Sequence, residues 1–285
     1  MEYSWGNVMN AVRKSGILFT LLTSTLLLHG QAARAANSGL ASVEAKARAL
    51  QVALIDYYPL NSLQNDKPEG LVYEYVQDIL RSVNAPIEYS VVTMNRAVEQ
   101  LKTLQVDLAL AMFKSDERAK FIQYSQKPLM WVGNGFCTLT PFDQTRLDAR
   151  SRLAYVQGTL VPSSLHHMVQ TPVSGLNAQV RMLQMLSKGR VDAIQCPMPG
   201  LMVLAAHRAK MNINLNCYEL KHSRQPVYLG FSKSVRKDIR IKMEEALQKK
   251  LQAEDFEGFM KRRFQESGIK YPVVEVIDPS QLQRK

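Results

Sequence analysis

The chain is poor in cysteine and tryptophan and shows no metal-ligand pattern, and each shortage narrows what it can be. Three cysteines, Cys137, Cys196 and Cys217, occur in 285 residues, too few to staple a fold that lacks a core. No Cys/His spacing of the zinc type appears, so no metal or other cofactor is expected. The most apolar stretch, Gly16–Leu28, is shorter than a bilayer requires. Basic runs interleaved with aromatics are also missing, so nucleic acid is not an expected partner despite the excess of Lys and Arg.

What is present begins with an export signal. Arg13 and Lys14 precede the apolar Gly16–Leu28 stretch, and Ala33-Arg34-Ala35-Ala36 follows as a small-residue cleavage site. This pattern predicts a signal peptide over residues 1–35, cleaved after Ala35, and a periplasmic mature protein. No cysteine follows the apolar stretch, so no lipid anchor is expected there. Removing Arg13, Lys14, Arg34 and Glu2 takes the formal charge from +11 to +9, which favours anionic ligands or an anionic membrane surface. In an oxidising compartment two of the three cysteines are free to pair. Cys196–Cys217 is the preferred pair because both lie in the same half of the chain, with three unpaired thiols as the alternative.

The stretch that organises the rest is Val106–Arg118. Asp107–Met112 is a short apolar run suited to a strand buried on both faces. Lys114-Ser115-Asp116-Glu117-Arg118 then reads as a strand end turning into a helix, with Ser115 placed to cap it. Ligands of open α/β sheets sit at the carboxyl ends of strands. Ser115 and Arg118 are therefore candidates to hold a small anionic group through a hydroxyl and a guanidinium fork. Ahead of them, Leu50–Ile55 is a strand ending in Asp56-Tyr57-Tyr58-Pro59, whose two tyrosines offer an apolar wall with hydroxyl tips. A helix from Leu71 to Val83, a strand over Ile87–Val92 and a helix opened by Asn95-Arg96 complete a β-α-β-α-β order, read as a parallel, doubly wound sheet.

The second half repeats this logic. Leu153–Val156 is a strand, and Gly158-Thr159 is a turn whose glycine lets a ligand approach the backbone. Val180–Cys196 mirrors Ala97–Met112: each is an amphipathic helix, a short turn, Val-Asp and a buried strand, with Asp192 matching Asp107. Two similar lobes with a cleft between them follow. The lobes are predicted as 36–138 plus 226–285, and 139–225. A helix over Pro199–Lys210, strands at Ile213–Leu220 and Val227–Ser232, helices at Val235–Leu251 and Phe256–Phe264, and an edge strand at Pro272–Ile277 complete the reading.

From Leu50 to Phe264 the chain resembles solute-binding proteins of family 3, the periplasmic polar amino-acid binders of ATP-driven importers. The likeness rests on Gly70 with Glu74, Gln105-Val-Asp107, Ser115-Asp-Glu-Arg118, Phe121 with Tyr124-Ser125, Gly158-Thr159, Gly189-Arg-Val-Asp192 and Tyr228-Leu-Gly-Phe231. It implies a two-lobed type II periplasmic-binding-protein fold of the α/β class, with the ligand cleft between lobes. It further implies that Arg118 and Ser115 hold the ligand carboxylate, that Tyr57 or Tyr58 packs on its side chain, and that Gly158 and Thr159 reach it from the second lobe. Phe113 and Gln195 join this candidate set. Where the family places an aspartate for the α-ammonium, this chain reads Cys196-Pro197-Met198. Asn95-Arg96 and Lys114 also mark a divergent branch, with Arg96 as a further candidate anchor.

The leading expectation is thus a monomeric periplasmic binding protein that closes on a small polar or anionic solute and delivers it to an importer's membrane permease. The loss of the acid at Pro197 puts an organic anion ahead of a free amino acid. An orphan sensor regulating a membrane partner is the alternative. An enzyme of the dehydratase type, which the resemblance also covers, needs a placed acid or base, for which Asp56 and Glu74 are the carboxylates at hand, so binding is read ahead of catalysis. His166-His167, near the Gly158 turn, read as a surface pair.

Overall fold

Leu50–Ile55 forms strand β1, apolar and almost wholly buried, and so runs through the interior of a sheet. The computed structural model describes residues 48–142 and 147–283, all within one compact unit spanning Ala45–Lys285. The expected signal peptide lies outside the described residues. A tight hairpin, β2 (Ser62–Gln64) and β3 (Lys67–Glu69), turns at Asn65 and Asp66, both with positive φ. Helix α1 (Leu71–Arg81) follows Gly70, where φ is +122° and a Cβ would lie 2.3 Å from the Leu60 carbonyl oxygen, so a side chain has no room. Then come β4 (Ile87–Val92), α2 (Met94–Lys102) capped by Thr93, β5 (Leu108–Phe113), the single turn α3 (Asp116–Ala119), β6 (Ile122–Tyr124), β7 (Met130–Val132) and β8 (Asn134–Thr138).

The remaining elements are β9 (Arg152–Val156), β10 (Val169–Val173), α4 (Ala178–Ser187), β11 (Ala193–Pro197), α5 (Leu201–Arg208) and β12 (Asn216–Leu220). The chain ends through β13 (Gln225–Ser232), α6 (Lys237–Ala253), α7 (Phe256–Glu266) and β14 (Glu275–Ile277). The first sheet has the order β4-β1-β5-β13-β6 with β7 also on β13, and the second β10-β9-β11-β8-β12-β14. Neither is purely parallel, in contrast to the sequence reading. β13 returns antiparallel against β5, and β8 enters antiparallel between β11 and β12. The first sheet is covered by α1, α6 and α7 on one side and α2 on the other; the second is covered by α4 and α5 on one side, while Leu147, Leu165, Met168 and Leu282 pack with its strands in a separate cluster.

Two strands lie on a different sheet from that implied by the predicted lobe limits. β8 precedes residue 139 yet pairs in the second sheet, and so does β14 near the C-terminus. Only Gly133 separates β7, in the first sheet, from β8, in the second. This also overturns the preferred disulfide. Cys137 sits directly opposite Cys217 on β8 and β12, and these two are bonded, while Cys196 on β11 is a buried free thiol. Sharing a half of the chain is no guide here, because β8 carries Cys137 into the second sheet beside β12.

The internal repeat has a physical counterpart. Asp107 accepts a hydrogen bond from the Gln51 N–H at 2.9 Å and donates its own N–H to the Gln51 carbonyl. Asp192 does the same with Arg152, at 2.7 Å. Each aspartate therefore ties the start of its strand to the neighbouring parallel strand, β1 in one sheet and β9 in the other, and Val-Asp is a strand-pairing device in both halves.

Candidate functional site

The carboxyl ends of β1 and β4 face those of β9 and β10 across a cavity of about 160 Å³. Ile55–Tyr57 and Thr93–Asn95 line it from the first sheet, and Val156, Gln157, Thr159 and Val173–Gly175 from the second. Three close approaches join the two sides. The Asn177 N–H donates to Asp56 Oδ2 at 2.7 Å, and the Tyr58 N–H donates to Gln179 Oε1 at 3.2 Å. Gly158, with φ +88°, abuts Asn95 so tightly that a Cβ would meet its Oδ1 at 2.5 Å.

Asp56 carries the charge chemistry of this cavity. It is only 6% exposed and lies at the N-terminal end of α4, where an anion is favoured. Burial nonetheless pushes its carboxyl above the ordinary value; the Asn177 N–H and the Arg181 charge pull it back only in part. Beside it, the Tyr57 hydroxyl is buried without a hydrogen-bond partner. Burial, and then Cys196, push that phenol well above its ordinary value against a smaller pull from Gln179, so it keeps its proton. The Gln179 Nε2 is likewise buried and unpartnered.

The structure brings some of the sequence-predicted residues to this cavity and not others. Tyr57 and Thr159 line it, and Gly158 forms its tight edge. The Thr159 hydroxyl is turned back onto the Val156 carbonyl at 2.7 Å. Tyr58 packs instead against the second sheet's core, so the expected pair of tyrosines does not make a common wall. Arg96 is exposed on the first turn of α2, and its neighbour Asn95 takes the lining position. Ser115 caps α3 by accepting from the Arg118 N–H at 3.3 Å. The Arg118 guanidinium reaches the Phe113 carbonyl at 3.4 Å, an acceptor shared with the Tyr124 hydroxyl. Phe113, Ser115 and Arg118 thus cluster at the end of β5, outside the cavity lining. Gln195 is buried within the second lobe against Asn134, its Oε1 unpartnered.

Of the two carboxylates raised by the sequence, only Asp56 is in the cleft. Glu74 is held in an ion pair with Arg263 at 2.6 Å, linking α1 to α7. His166 and His167 bond backbone carbonyls, and among the described residues no group of His, Cys, Asp and Glu is placed to hold a metal. Thr93, Ser174 and Gly175 were missed. Thr93 at least had a signal, being a capping residue at the carboxyl end of a strand. A larger, more open hollow of about 640 Å³ lies away from these strand ends, between β7, α7 and the segment before β14, and includes none of the cleft residues.

The profile of the bacterial extracellular solute-binding proteins, family 3, matches residues 50–254. The chain belongs to this family. No curated protein sequence matches the chain. Among solved structures, this solute-binding protein is similar to the arginine-, lysine-, histidine-binding protein ArtJ from Geobacillus stearothermophilus. That match has 16% identity and a TM-score of 0.61, covering 83% of this chain and 100% of that one. An amino-acid ABC transporter substrate-binding protein from Streptococcus pneumoniae, bound to L-arginine, matches at 20% identity and a TM-score of 0.60, over 75% of this chain and 92% of that one. A histidine kinase sensor domain with similarity to periplasmic binding proteins matches at 17% and 0.60, over 80% and 100%. At these identities the likenesses establish the type II two-lobed fold.

Proposed function

We propose that this solute-binding protein is exported to the periplasm, closes its two lobes on a small polar solute bearing a positively charged nitrogen, and presents it to an ABC importer. The observation that carries the reading is the buried Asp56 carboxylate, facing a cavity of about 160 Å³ that no Lys or Arg lines. Burial outweighs the help this carboxylate has from the Asn177 N–H and Arg181, and a ligand cation would offset the remaining cost. Asp56 takes over the counter-charge that the sequence lacks at Pro197, so an amino-acid-like zwitterion replaces the organic anion as the preferred solute class. The guanidinium of Arg118 is engaged only by a long bond to a backbone carbonyl, which leaves it available for a carboxylate at the cleft's edge.

A thermal-shift screen of amino acids beside their deaminated and decarboxylated analogues tests this, because a ligand that binds the native state raises its melting point. Stabilisation should require the nitrogen. A deaminated acid that stabilises as strongly as its parent amino acid would overturn the assignment of Asp56.

A further inference from the structure

The three cysteines form one sulfur cluster on one face of the second sheet. Cys217 lies directly opposite Cys137 across β12 and β8. On the other side of β8, Cys196 is opposite Gly135, two residues from Cys137 and therefore on the same face. Gly135 has no side chain to intervene, and a Cβ there would collide with the Tyr218 carbonyl oxygen at 1.9 Å. The Cys196 Sγ stands 3.9 Å from the Cys137 Sγ, in an apolar cluster formed with residues of α4 and α5.

We propose that this cluster undergoes internal thiol–disulfide exchange and that Cys217 is the modification site it uncovers. The Cys196 thiolate attacks the Cys137 sulfur, the Cys137–Cys217 bond breaks, and Cys217 leaves as a thiolate. The proton lost from Cys196 to water is regained by Cys217, so the step is an isomerisation that consumes no oxidant or reductant. The sulfurs have to close from 3.9 Å to a bond of about 2 Å, a side-chain rotation with a small strand adjustment. Burial raises the Cys196 thiol's pKa, which keeps its thiolate scarce and the exchange slow, on the minutes-to-hours scale of uncatalysed rearrangement. The consequence is directional: the free thiol passes from a fully buried position on β11 to Cys217, which is partly exposed on β12. The crosslink moves to β11, the strand that lies between β8 and β9 in the second sheet.

Trapping shows whether this occurs. The folded, oxidised protein is held in iodoacetamide without denaturant, then digested unreduced and mapped by mass spectrometry. The expected product carries the alkyl group on Cys217 and a Cys137–Cys196 disulfide, and Cys196→Ala lowers Cys217 labelling by about tenfold or more. Alkylation at Cys196 with Cys137–Cys217 intact would overturn the proposal, as would the absence of any label on the folded protein over days. Equal Cys217 labelling in Cys196→Ala would also overturn it. The wild-type map alone decides the outcome if that variant folds poorly.

Discussion

Asp56→Asn is expected to make the protein more stable and a poorer binder at once. The carboxylate is buried, and desolvation outweighs the help it receives from the Asn177 N–H and Arg181, so its folded-state pKa lies above the ordinary 3.8. For an acid, a raised folded pKa means that the folded protein holds the proton more tightly than the unfolded chain. The charge therefore costs stability in full above the folded pKa, and the cost fades as pH falls through that value toward 3.8. Asparagine keeps the size and an acceptor oxygen for the 2.7 Å bond from Asn177 while removing the charge. The gain at neutral pH should be about 1 kcal/mol, the usual yield when a strained functional group is relieved. In a chain of this size that raises Tm by about 2–4 °C. Paired melts of wild type and variant, stepped from neutral pH downward, should show the gap closing with acidification as the wild-type carboxyl takes its proton. The same variant should bind amino-bearing solutes more weakly. If the variant is less stable than wild type at neutral pH, the carboxylate is a net stabilising cap on α4 and the functional argument fails.

Other changes separate the parts of the site. Arg118→Ala should leave the far-UV spectrum unchanged and weaken solute binding by about 2–5 kcal/mol in calorimetry, the usual loss for one partner of a desolvated charged contact; equal affinity would remove Arg118 from the site. Gly158→Ala puts a Cβ 2.5 Å from Asn95 Oδ1 at a φ of +88°, so it should cost about 1–2 kcal/mol in backbone strain and hold the lobes apart. Small-angle scattering should then report a larger radius, which pairing with Asn95→Ala should reverse; an unchanged radius would mean that this contact does not limit closure. Removing the crosslink with Cys137→Ala and Cys217→Ala should cost about 2–5 kcal/mol in urea unfolding, and a loss near zero would mean the bond is not formed in the folded protein.

Much of the fold was legible because the signals were local. β1 and β5 are apolar runs and β4 an alternating one, and the two Val-Asp turns announced a repeat that Asp107 and Asp192 realise by the same pair of bonds, one through the carboxylate and one through the backbone N–H. What failed was what depends on partners distant in the chain. Nothing near Asn134–Thr138 says that it crosses to the other sheet, where Cys137 meets Cys217 although the two lie in different halves of the chain. Short strands such as Ile122–Tyr124 and Met130–Val132 owe their existence to the β13 edge they pair with, and their own sequence is too brief to show a period.

The site was harder for a different reason. Sequence spacing shows which residues stand at strand ends, but whether a side chain faces the opposite lobe depends on how the lobes meet. Tyr57 and Tyr58 illustrate this: neighbours in sequence point to opposite sides, so one lines the cavity while the other packs into the second sheet's core. The absent aspartate at Pro197 is a gap of the same kind. A charge requirement belongs to the cavity, not to one position, and the proposed role of Asp56 is that of a buried carboxylate on the facing lobe whose pKa burial raises.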